Sequence, residues 1–548
     1  MVHPLNIKTV HKRCSLSVVL LLLIIAAVPG PMVRAAPKHL TILTLNDLHG
    51  QLEPFLIPDA DRRKSVGGFS RLAGAVSAIK ELNPDKVLVV NTGDSLTGKY
   101  FLQFKGKAVF SCMSLMGIDV GTLGNHEFDR GSEVLADALI HCTFPLVVSN
   151  LKTQGASPLH NRYRSFLVEE RNSIRIGIFG LITADLPFIS APGPDVTLLP
   201  GLADHAARTA ATLRKQEAAD LVVALTHIGL KHDLELAAEV PALDIICGGH
   251  SHDLLKTGEE IIIARQEGRK TIIVQAGARG AYLGRLDLAI DRVGITSHAW
   301  KPILMDSSIP DNPRMTGAVA SFQEKLPREK VITHTKRPLD CRSLSLRTGE
   351  TAIGNLITDI IRERFNTDIA LQNGGGIRGD RVIAPGPVTT GDIVSLLPFE
   401  NQVAVITLTG KEIRQVLEHA VSMLPDPSGG FLQVSGLRFT ADVTGKALRF
   451  SYDVHEGTCA VKQQGSRILT VECLNPSGSY SPLVPDKVYA VAVNSFLAGG
   501  GDRYHMLQHA RKKTFTYVTL RSALLHRLSQ QAAVEPVTDG RIRITGMP

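Results

Sequence analysis

The amino-acid sequence predicts an α/β protein built from two domains. In the first half of the chain, apolar and β-branched segments alternate with helical patterns, which is typical of parallel sheets covered by helices. Five of these strand-like segments end in side chains that bind metals, and open α/β sheets place their sites at the carboxyl ends of strands. The second half opens on a helical pattern and carries two glycine-rich loops, which indicates a separate domain.

The composition is that of an ordinary globular protein. The chain has 548 residues, of which 44% are hydrophobic and 20% charged. This length allows roughly two to four domains. The formal net charge is +8, but four of the basic residues lie in an N-terminal leader that has no acidic residue. The remaining charge is too small to indicate a nucleic-acid polymer as a partner.

The N-terminal segment has the three parts of a signal peptide. A basic stretch at residues 11–13 precedes an apolar run from Ser15 to Val28, and residues 33–35 resemble a cleavage site. The apolar run is shorter than the roughly 20 residues that a membrane span needs, so an uncleaved anchor helix is the less favoured interpretation. We therefore expect residues 1–35 to be a cleavable signal peptide. The product would be periplasmic or extracellular, with no stable membrane anchor.

Export would permit disulfides among the six cysteines that remain after cleavage. Cys459 and Cys473 flank a predicted hairpin and form the favoured pair, and Cys112 with Cys142 is a second candidate. Cys247 lies in a buried-strand pattern and is expected to be a core thiol. The sequence leaves the pairing open.

The first candidate site residues end two early strands. Residues 39–50 alternate β-branched and apolar side chains and then reach Asp47 and His49, which point the same way if the strand geometry continues. A buried-strand pattern from Lys86 ends in Asp94, where a carboxylate can bridge two cations. An isolated Asp-x-His pair is more often a solvated turn, so this interpretation depends on further clusters.

The strongest cluster is the hexapeptide 124–129. A glycine-punctuated apolar run delivers Asn125 and His126 to the predicted end of a buried strand. The Asn125 amide can ligate a hard metal, and the His126 imidazole can donate a proton. Asp129 follows closely enough to orient that imidazole. We therefore predict that His126 and Asp129 are the catalytic pair.

Two later strands complete the set of candidate ligands. Oxygen and imidazole ligands without thiolates suit Zn, Mn, Fe or Co in a catalytic site. Their number predicts two metals that share Asp94. Two such metals clamp the attacking and leaving oxygens of a displacement at phosphorus, and they lower the pKa of a bound water. The predicted ligands are Asp47, His49, Asp94, Asn125, His227, His250 and His252.

A change of pattern near residue 310 sets the predicted domain limits. A turn cluster at residues 310–313 precedes a helical pattern from Met315 to Lys330. We expect a dimetal phosphoesterase domain over residues 36–310, a linker helix within 311–336, and a second domain over 337–548.

The second domain carries two glycine-rich loops. Asn373 opens a Gly-Gly-Gly turn that leads to Arg378, and its spacing excludes a dinucleotide-binding fingerprint. A tight turn and a backbone that approaches a flat ligand explain this loop equally well, with Arg378 taking an anion in the second case. The other loop runs from Asn494 through Phe496 to Asp502. Two such loops can hold a nucleobase, because an aromatic side chain stacks on a base with about 1–3 kcal/mol.

Taken together, these motifs resemble the secreted 5′-nucleotidase / UDP-sugar hydrolase family. The resemblance rests on residues 45–50, 91–94, 124–129, 226–227, 248–252, 373–378 and 494–502, in that order. It covers the chain from about residue 39 to the end. It implies an α/β fold with a four-layered αββα metallophosphoesterase domain, joined by a helix to a second, α+β nucleotidase C-terminal domain. It also implies a large domain rotation about the linker helix.

The resemblance assigns the ligands to two divalent metal ions. One ion would take Asp47, His49, Asp94 and His252, and the other would take Asp94, Asn125, His227 and His250. The position of His252 often holds Gln or Asn in these nucleotidases. The choice between Zn and Mn, with Co as a further candidate, therefore stays open.

The resemblance also assigns the groups that act on the substrate. His126 would stabilise the developing phosphoryl charge or protonate the leaving oxygen, and Asp129 would orient it. Phe399 and Phe496 match the pair that stacks the base. Polar contacts to base, ribose and phosphates would come from Arg347, Asn373, Arg378 and Asp502.

The predicted function is release of phosphate from nucleoside 5′-monophosphates, with UDP-sugars or other nucleotides as further substrates. Within the same fold, a 2′,3′-cyclic nucleotide phosphodiesterase or a thiosulfohydrolase is the alternative, and the phenylalanine pair argues against the latter. The non-enzymatic alternative is a catalytically inactive nucleotide-binding surface protein, which the complete ligand set opposes. Loss of phosphate release on chelation, with nucleotide binding retained, separates an enzyme from a binding protein. The sequence does not predict the oligomeric state.

Overall fold

The computed structural model describes residues 36–59, 62–265, 269–453 and 458–547. The predicted signal peptide, residues 1–35, lies outside the described residues. Within the described residues, no helix combines the length and the apolar character needed to cross a membrane.

Two central sheets form the first part of the chain. Its strands are β1 (Lys38–Leu45), β2 (Phe55–Asp59), β3 (Arg62–Val66), β4 (Val87–Asn91), β5 (Val120–Gly121), β6 (Leu151–Thr153), β7 (Phe166–Arg171), β8 (Ile174–Ile182), β9 (Val196–Leu198), β10 (Leu221–His227), β11 (Ile245–Cys247), β12 (Ile261–Ala264), β13 (Lys270–Val274), β14 (Tyr282–Ile290) and β15 (Ile295–Leu304). One sheet has the order β15-β14-β1-β4-β5, and the other has the order β12-β13-β11-β10-β8-β7.

Parallel pairing sets the polarity of both sheets. In the first sheet β1 pairs in parallel with β4, and β4 with β5. In the second sheet β8, β10, β11 and β13 are parallel neighbours. The carboxyl ends of these strands therefore lie at one edge of each sheet, where the candidate ligands follow.

The alternation of side chains along β1 divides it between two cores. Leu40 and Ile42 face the second sheet and pack with Ile176 and Val223, so the two sheets stack face to face. Leu43 and Leu45 face the opposite way and pack against helices. The strands are apolar on both faces because each sheet is covered on both sides.

Helices cover the two outer faces. The helices of this part are α1 (Phe69–Leu82), α2 (Gly98–Phe104), α3 (Lys107–Met116), α4 (Gly131–Leu139), α5 (Leu186–Ile189), α6 (Leu202–Lys215), α7 (Leu230–Glu239) and α8 (Pro313–Gln323). The first sheet shares a core with α1, α3, α4 and α8, and the second sheet shares a core with α6 and α7. The four-layered αββα prediction is confirmed.

The helix between the two parts is shorter than the predicted segment Met315–Lys330. Helix α8 begins after Asn312, whose side chain accepts a hydrogen bond from Met315 N, and it ends at Gln323. Its buried Met315 and Val319 pack into the core that holds α1. The domain limits at residues 310 and 336 stay predictions.

The second part is α+β, as predicted. Its main sheet has the order β22-β18-β28-β21-β29, beside a three-stranded sheet β20-β16-β30 and a four-stranded sheet β27-β26-β23-β31. The strands are β16 (Val331–Thr335), β17 (Leu339–Asp340), β18 (Ile369–Asn373), β19 (Val382–Ile383), β20 (Gly386–Thr389), β21 (Gln402–Thr409), β22 (Leu432–Ser435), β23 (Leu437–Asp442), β24 (Arg449–Asp453), β25 (Thr458–Gln463), β26 (Ile468–Leu474), β27 (Tyr480–Pro482), β28 (Val488–Asn494), β29 (Lys513–Thr519), β30 (Ala533–Val534) and β31 (Ile542–Thr545). The helices are α9 (Ser343–Thr348), α10 (Ala352–Arg364), α11 (Thr390–Leu396), α12 (Gly410–Ala420), α13 (Ser495–Ala498), α14 (His505–Gln508) and α15 (Leu520–Leu528).

The cysteines differ from the disulfide prediction. Cys112 and Cys142 are free thiols, so the second candidate pair is wrong. Cys473 is also a free thiol, and the side chain of its predicted partner, Cys459, lies outside the described residues. Cys247 is a buried core thiol on β11, as expected.

Candidate active site and metal centre

The predicted metal ligands meet where the carboxyl ends of both sheets converge. In the first sheet they follow β1, β4 and β5, and in the second they end β10 or follow β11. The Nε2 atom of His227 lies 3.1 Å from Asp94 Oδ2, so the two sheets are in contact at this edge.

Several of these residues adopt a strained backbone. A positive φ costs an L-residue about 1–2 kcal/mol, and such strain clusters at functional sites. The strain turns each chain sharply at the end of its strand and aims the side chain into the cleft. The strained ligands are Asp47 (φ 50°), His49 (φ 49°), Asp94 (φ 52°), His250 (φ 81°) and His252 (φ 61°).

The ligand atoms form overlapping groups. Asp47, His49 and His252 form one group, and Asp94, His227 and His250 form another, each with its ligand atoms within 4.8 Å of one another. A third group joins His49 and Asp94 to His126 within the same limit. The first two groups hold three of the four ligands expected for each metal ion.

Unpartnered atoms show that the residues fit two cations. Within the described part of the chain, Asn125 Oδ1 is buried and has no hydrogen-bond partner, a costly state for a polar atom unless a further group binds it. His227 Nε2 is also buried, and it faces the Asp94 carboxylate at 3.1 Å. The Nε2 atoms of His49 and His252 approach to 2.9 Å, which directs both toward one point. His227 Nδ1 donates to the Thr92 carbonyl at 2.8 Å, and this leaves the Nε2 lone pair for a metal.

Electrostatics favour the metal-binding protonation states at most of these groups. Burial lowers the pKa of His250 to about 4, helped by His227, and burial with His252 holds the pKa of His49 well below its usual value. Both imidazoles are therefore neutral ligands. Burial also lowers the pKa of His227, but Asp94 outweighs it and raises that pKa to about 10. His227 must release a proton when a cation binds.

His126 lies between Asp94 and Asp129. Its Nδ1 atom lies 2.7 Å from Asp129 Oδ2, and its backbone N–H donates to Asp94 Oδ1 at 2.8 Å. Burial lowers the pKa of His126, yet the two carboxylates outweigh burial and raise it. The Nδ1–H group is thus held on Asp129, and the Nε2 atom is directed into the cleft.

The second domain brings two predicted residues to His126. Arg378 Nη2 lies 3.1 Å from His126 Nε2, and the Phe399 ring stacks on the His126 ring with centroids 5.8 Å apart and planes at 19°. The Arg378 guanidinium lies 5.5 Å from the Phe399 ring centroid. The two domains therefore share one cleft.

The other predicted substrate residues gather behind Arg378. Asn373 Nδ2 donates to Asp502 Oδ2 at 2.6 Å, and burial raises the pKa of Asp502 to about 6 against the effects of Asn373 and Arg347. Burial lowers the pKa of Arg347 to about 10, with Arg378 acting in the same direction. Phe496 lies on α13, where its ring leaves no space for a side chain on Gly501.

Glu127 has a structural role that no sequence pattern indicated. Its buried carboxylate cross-links the two loops that carry Asp94 and Asn125. It accepts hydrogen bonds from the backbone N–H groups of Asp94 (2.9 Å), Ser95 (2.6 Å), Leu96 (3.2 Å) and Gly124 (2.7 Å). The only sequence signal was its place inside the hexapeptide 124–129, which drew attention to its neighbours instead.

Charged residues between the domains were also missed. Arg130 pairs with Glu400 at 2.9 Å, and Asp185 pairs with Arg503. Each is a single charged residue in a loop, so no sequence pattern marks it.

Comparisons with known proteins match both halves of the chain. The calcineurin-like phosphoesterase family matches residues 40–254, and the 5′-nucleotidase C-terminal domain family matches residues 331–509. The fold and the ligand cluster therefore define a protein of the calcineurin-like phosphoesterase class that carries a nucleotidase C-terminal domain.

Individual relatives narrow this class. The chain is 31% identical to the 5′-nucleotidase of Bos taurus, over 93% of this chain and 92% of that protein. It is also 31% identical to the crystal structure of a 5′-nucleotidase precursor from Thermus thermophilus, with a TM-score of 0.84, covering 93% of this chain and 100% of the other. The sulfate thiohydrolase SoxB of Thermus thermophilus has a TM-score of 0.70 at 17% identity, covering 93% of this chain and 97% of that one, a likeness of fold alone. The chain belongs to the 5′-nucleotidase family.

Substitution of Glu127 tests the cross-link between the two loops. In Glu127→Gln, an amide N–H₂ group faces backbone N–H donors, so the loops that carry Asp94 and Asn125 lose their common anchor. We expect the affinity for Mn²⁺ to fall by roughly 10- to 100-fold, the usual effect of losing a group that supports metal ligands. Calorimetric titration of metal-free protein measures it.

The matched control is Glu133→Gln, a change at an exposed residue in the first turn of α4. It should bind Mn²⁺ as the unsubstituted protein does. Equal affinity in Glu127→Gln would contradict a supporting role for this carboxylate.

Proposed function

We propose that this protein is an exported dimetal phosphohydrolase that releases phosphate from nucleoside 5′-monophosphates. The observation that carries the proposal is the 3.1 Å approach of Arg378 Nη2 to His126 Nε2. It places a residue of the glycine-rich loop of the second domain at the proposed catalytic group of the first. The names of the relatives, several of which are 5′-nucleotidases, support the same substrate class.

The seven strand-end residues would hold two divalent cations, with Asp94 as a ligand common to both. Such a pair supplies charge stabilisation at the phosphoryl oxygens and a nucleophilic water at neutral pH. Zn and Mn both suit the ligand set, and Co is a further candidate. The His252 side chain is 36% exposed, whereas His227 in the other group is fully enclosed, so we expect the ion held by His252 to exchange more readily.

His126 and Asp129 would act on the leaving group. The Asp129 contact fixes Nδ1–H, and the two carboxylates raise the pKa of His126. Nε2 would therefore supply a proton to the phosphoryl or leaving oxygen once the substrate displaces the Arg378 guanidinium that donates to it. Asp129 is itself held by Ser190, whose Oγ donates to Oδ1 at 3.0 Å. His126 is thus oriented before substrate arrives.

The second domain would bind the nucleotide. Arg378 and Arg347 are buried guanidinium groups whose Nε atoms have no hydrogen-bond partner among the described residues, and they suit the phosphate. Asn373 and Asp502 suit the ribose hydroxyls. Phe399 and Phe496 suit the base.

Three alternatives compete with this proposal. A thiosulfohydrolase would need no base-stacking pair, and the likeness to SoxB is one of fold alone. A 2′,3′-cyclic nucleotide phosphodiesterase would use the same pocket, so only substrate tests separate it from a 5′-nucleotidase. A binding protein without catalysis would have no use for a complete set of seven metal-ligand side chains gathered at one edge of the sheets.

A substrate panel tests the proposed reaction. Phosphate release is measured from AMP, UDP-glucose, 2′,3′-cyclic AMP and an aryl phosphate, after chelation and after addition of Zn, Mn or Co. We expect AMP turnover that is lost on chelation and restored by metal, and a fall of roughly 100- to 10,000-fold in kcat for His126→Ala. Cleavage of the aryl phosphate alone would contradict the nucleotide pocket, and no cleavage with any metal would favour the binding protein.

Phe399→Ala tests the proposed base contact. Loss of one stacking aromatic, worth about 1–3 kcal/mol, should raise KM for AMP by roughly 5- to 100-fold. Steady-state kinetics on AMP and on an aryl phosphate measure the effect, and KM for the aryl phosphate should not change. The matched control is Phe515→Ala, since Phe515 is an exposed phenylalanine on β29 of the same domain. An equal loss on both substrates would show that Phe399 acts through His126 instead.

A further inference from the structure

The segment 185–190 lies between the proposed catalytic pair and the nucleotide-binding domain. It follows β8 in the second sheet of the first domain and contains the short helix α5. No sequence motif indicated a role for this segment. Its two ends contact parts of the chain that are far apart in sequence.

One end of the segment contacts the catalytic pair. Ser190 Oγ donates to Asp129 Oδ1 at 3.0 Å, while the other oxygen of Asp129 faces His126 Nδ1 at 2.7 Å. The position of Ser190 therefore affects the orientation of the imidazole.

The other end contacts the second domain. Asp185 forms an ion pair with Arg503, whose guanidinium lies 5.4 Å from the Phe188 ring centroid. Phe188 also meets His505 edge to face, with ring centroids 5.8 Å apart and planes at 81°. These contacts join the segment to residues 503–505, directly after the proposed ribose-binding carboxylate of Asp502.

The loop that receives these contacts is strained. Asp502 and Arg503 both lie in the left-handed region, with φ of 51° and 62°, which is uncommon for non-glycine residues. The Asp502 carbonyl lies 2.8 Å from His419 Nε2, and burial holds the pKa of His419 at about 4, so that a neutral imidazole donates this hydrogen bond. The strain turns the Asp502 side chain toward Asn373 and the Arg503 side chain toward Asp185.

We infer that the segment 185–190 holds the nucleotide-binding loop, residues 499–505, at a fixed position relative to the His126–Asp129 pair. The positioning residues are Asp185 in the segment and Arg503 in the loop. The consequence for turnover rests on the proposed function. Neither residue touches the reacting atoms. Each acts by holding the ribose-binding carboxylate at a set distance from the catalytic imidazole.

Charge reversal tests the inference. Arg503→Asp places two carboxylates side by side, and Asp185→Arg places two guanidinium groups side by side, so each single variant replaces attraction with repulsion. The double variant restores an ion pair with the two charges exchanged. Both side chains are substantially exposed, so the chain can accept these changes, and the energetic effect of one exposed pair is modest. We expect kcat for AMP to fall by about three- to tenfold in each single variant and to return within about twofold in the double variant.

Three results would distinguish a positioning role of Asp185 and Arg503 from a general loss of folded structure. KM for AMP should change less than kcat, because the base and ribose contacts stay within the second domain. Turnover of an aryl phosphate, which lacks the ribose, should not change in any variant. The matched control exchanges Arg438 and Glu472, a pair within the second domain at 2.7 Å, and should leave AMP turnover unchanged.

A second measurement does not depend on activity. Amide hydrogen exchange of residues 499–505 should be faster in each single variant and should return to the original rate in the double variant. Unchanged exchange in the single variants, or no recovery in the double variant, would overturn the inference. If the unsubstituted protein releases no phosphate from AMP, the proposed function fails, while the exchange rates still decide whether this contact fixes the loop.

Discussion

The carboxylate of Asp94 is the group on which the rest of the site depends. Its Oδ1 atom accepts the backbone N–H of His126, and its Oδ2 atom faces His227 Nε2 at 3.1 Å. Its backbone carbonyl accepts the N–H of His49 at 3.0 Å, and its backbone N–H is bound by Glu127. One residue thus joins the two sheets, the proposed catalytic pair and both groups of predicted ligands.

The surrounding structure holds this buried charge in a conformation that the chain would not adopt alone. Asp94 has a φ of 52°, and its strand, β4, is covered on both faces by apolar side chains. Burial penalises the carboxylate, but His227 and His126 outweigh burial and hold its pKa well below the usual value. A rigid four-layered core is therefore the condition for a charged site at its edge.

Much of the fold could be predicted because the patterns that indicate helices and buried strands lie within short segments of the sequence. The helical pattern that opens the second half corresponds to α10, Ala352–Arg364, and the pattern from Met315 to Lys330 overlaps α8, Pro313–Gln323. The strand ends were predictable because buried parallel strands read as apolar runs that stop at a polar residue. Metal-binding side chains at several such ends were enough to indicate a shared site.

The remaining features depend on how distant segments meet, and no local pattern encodes that. Asp185 and Arg503 are 318 residues apart, and Arg378 is 252 residues from His126. Glu127 accepts hydrogen bonds from backbone N–H groups, and nearly every residue type has such a group, so the sequence does not reveal these partners. The pairing of Cys112 with Cys142 was wrong because spacing in sequence does not fix the distance between thiols.

The most direct measurement of the central claim is the metal content of the protein and of Asp94→Asn after loading with Mn²⁺ and removal of free ion. A shared ligand predicts about two ions per chain in the unsubstituted protein and loss of both in the variant. Asp392→Asn, a change in the capping box of α11, provides the control for a hydrogen-bonded carboxylate outside the site. Retention of both ions by Asp94→Asn would contradict the account.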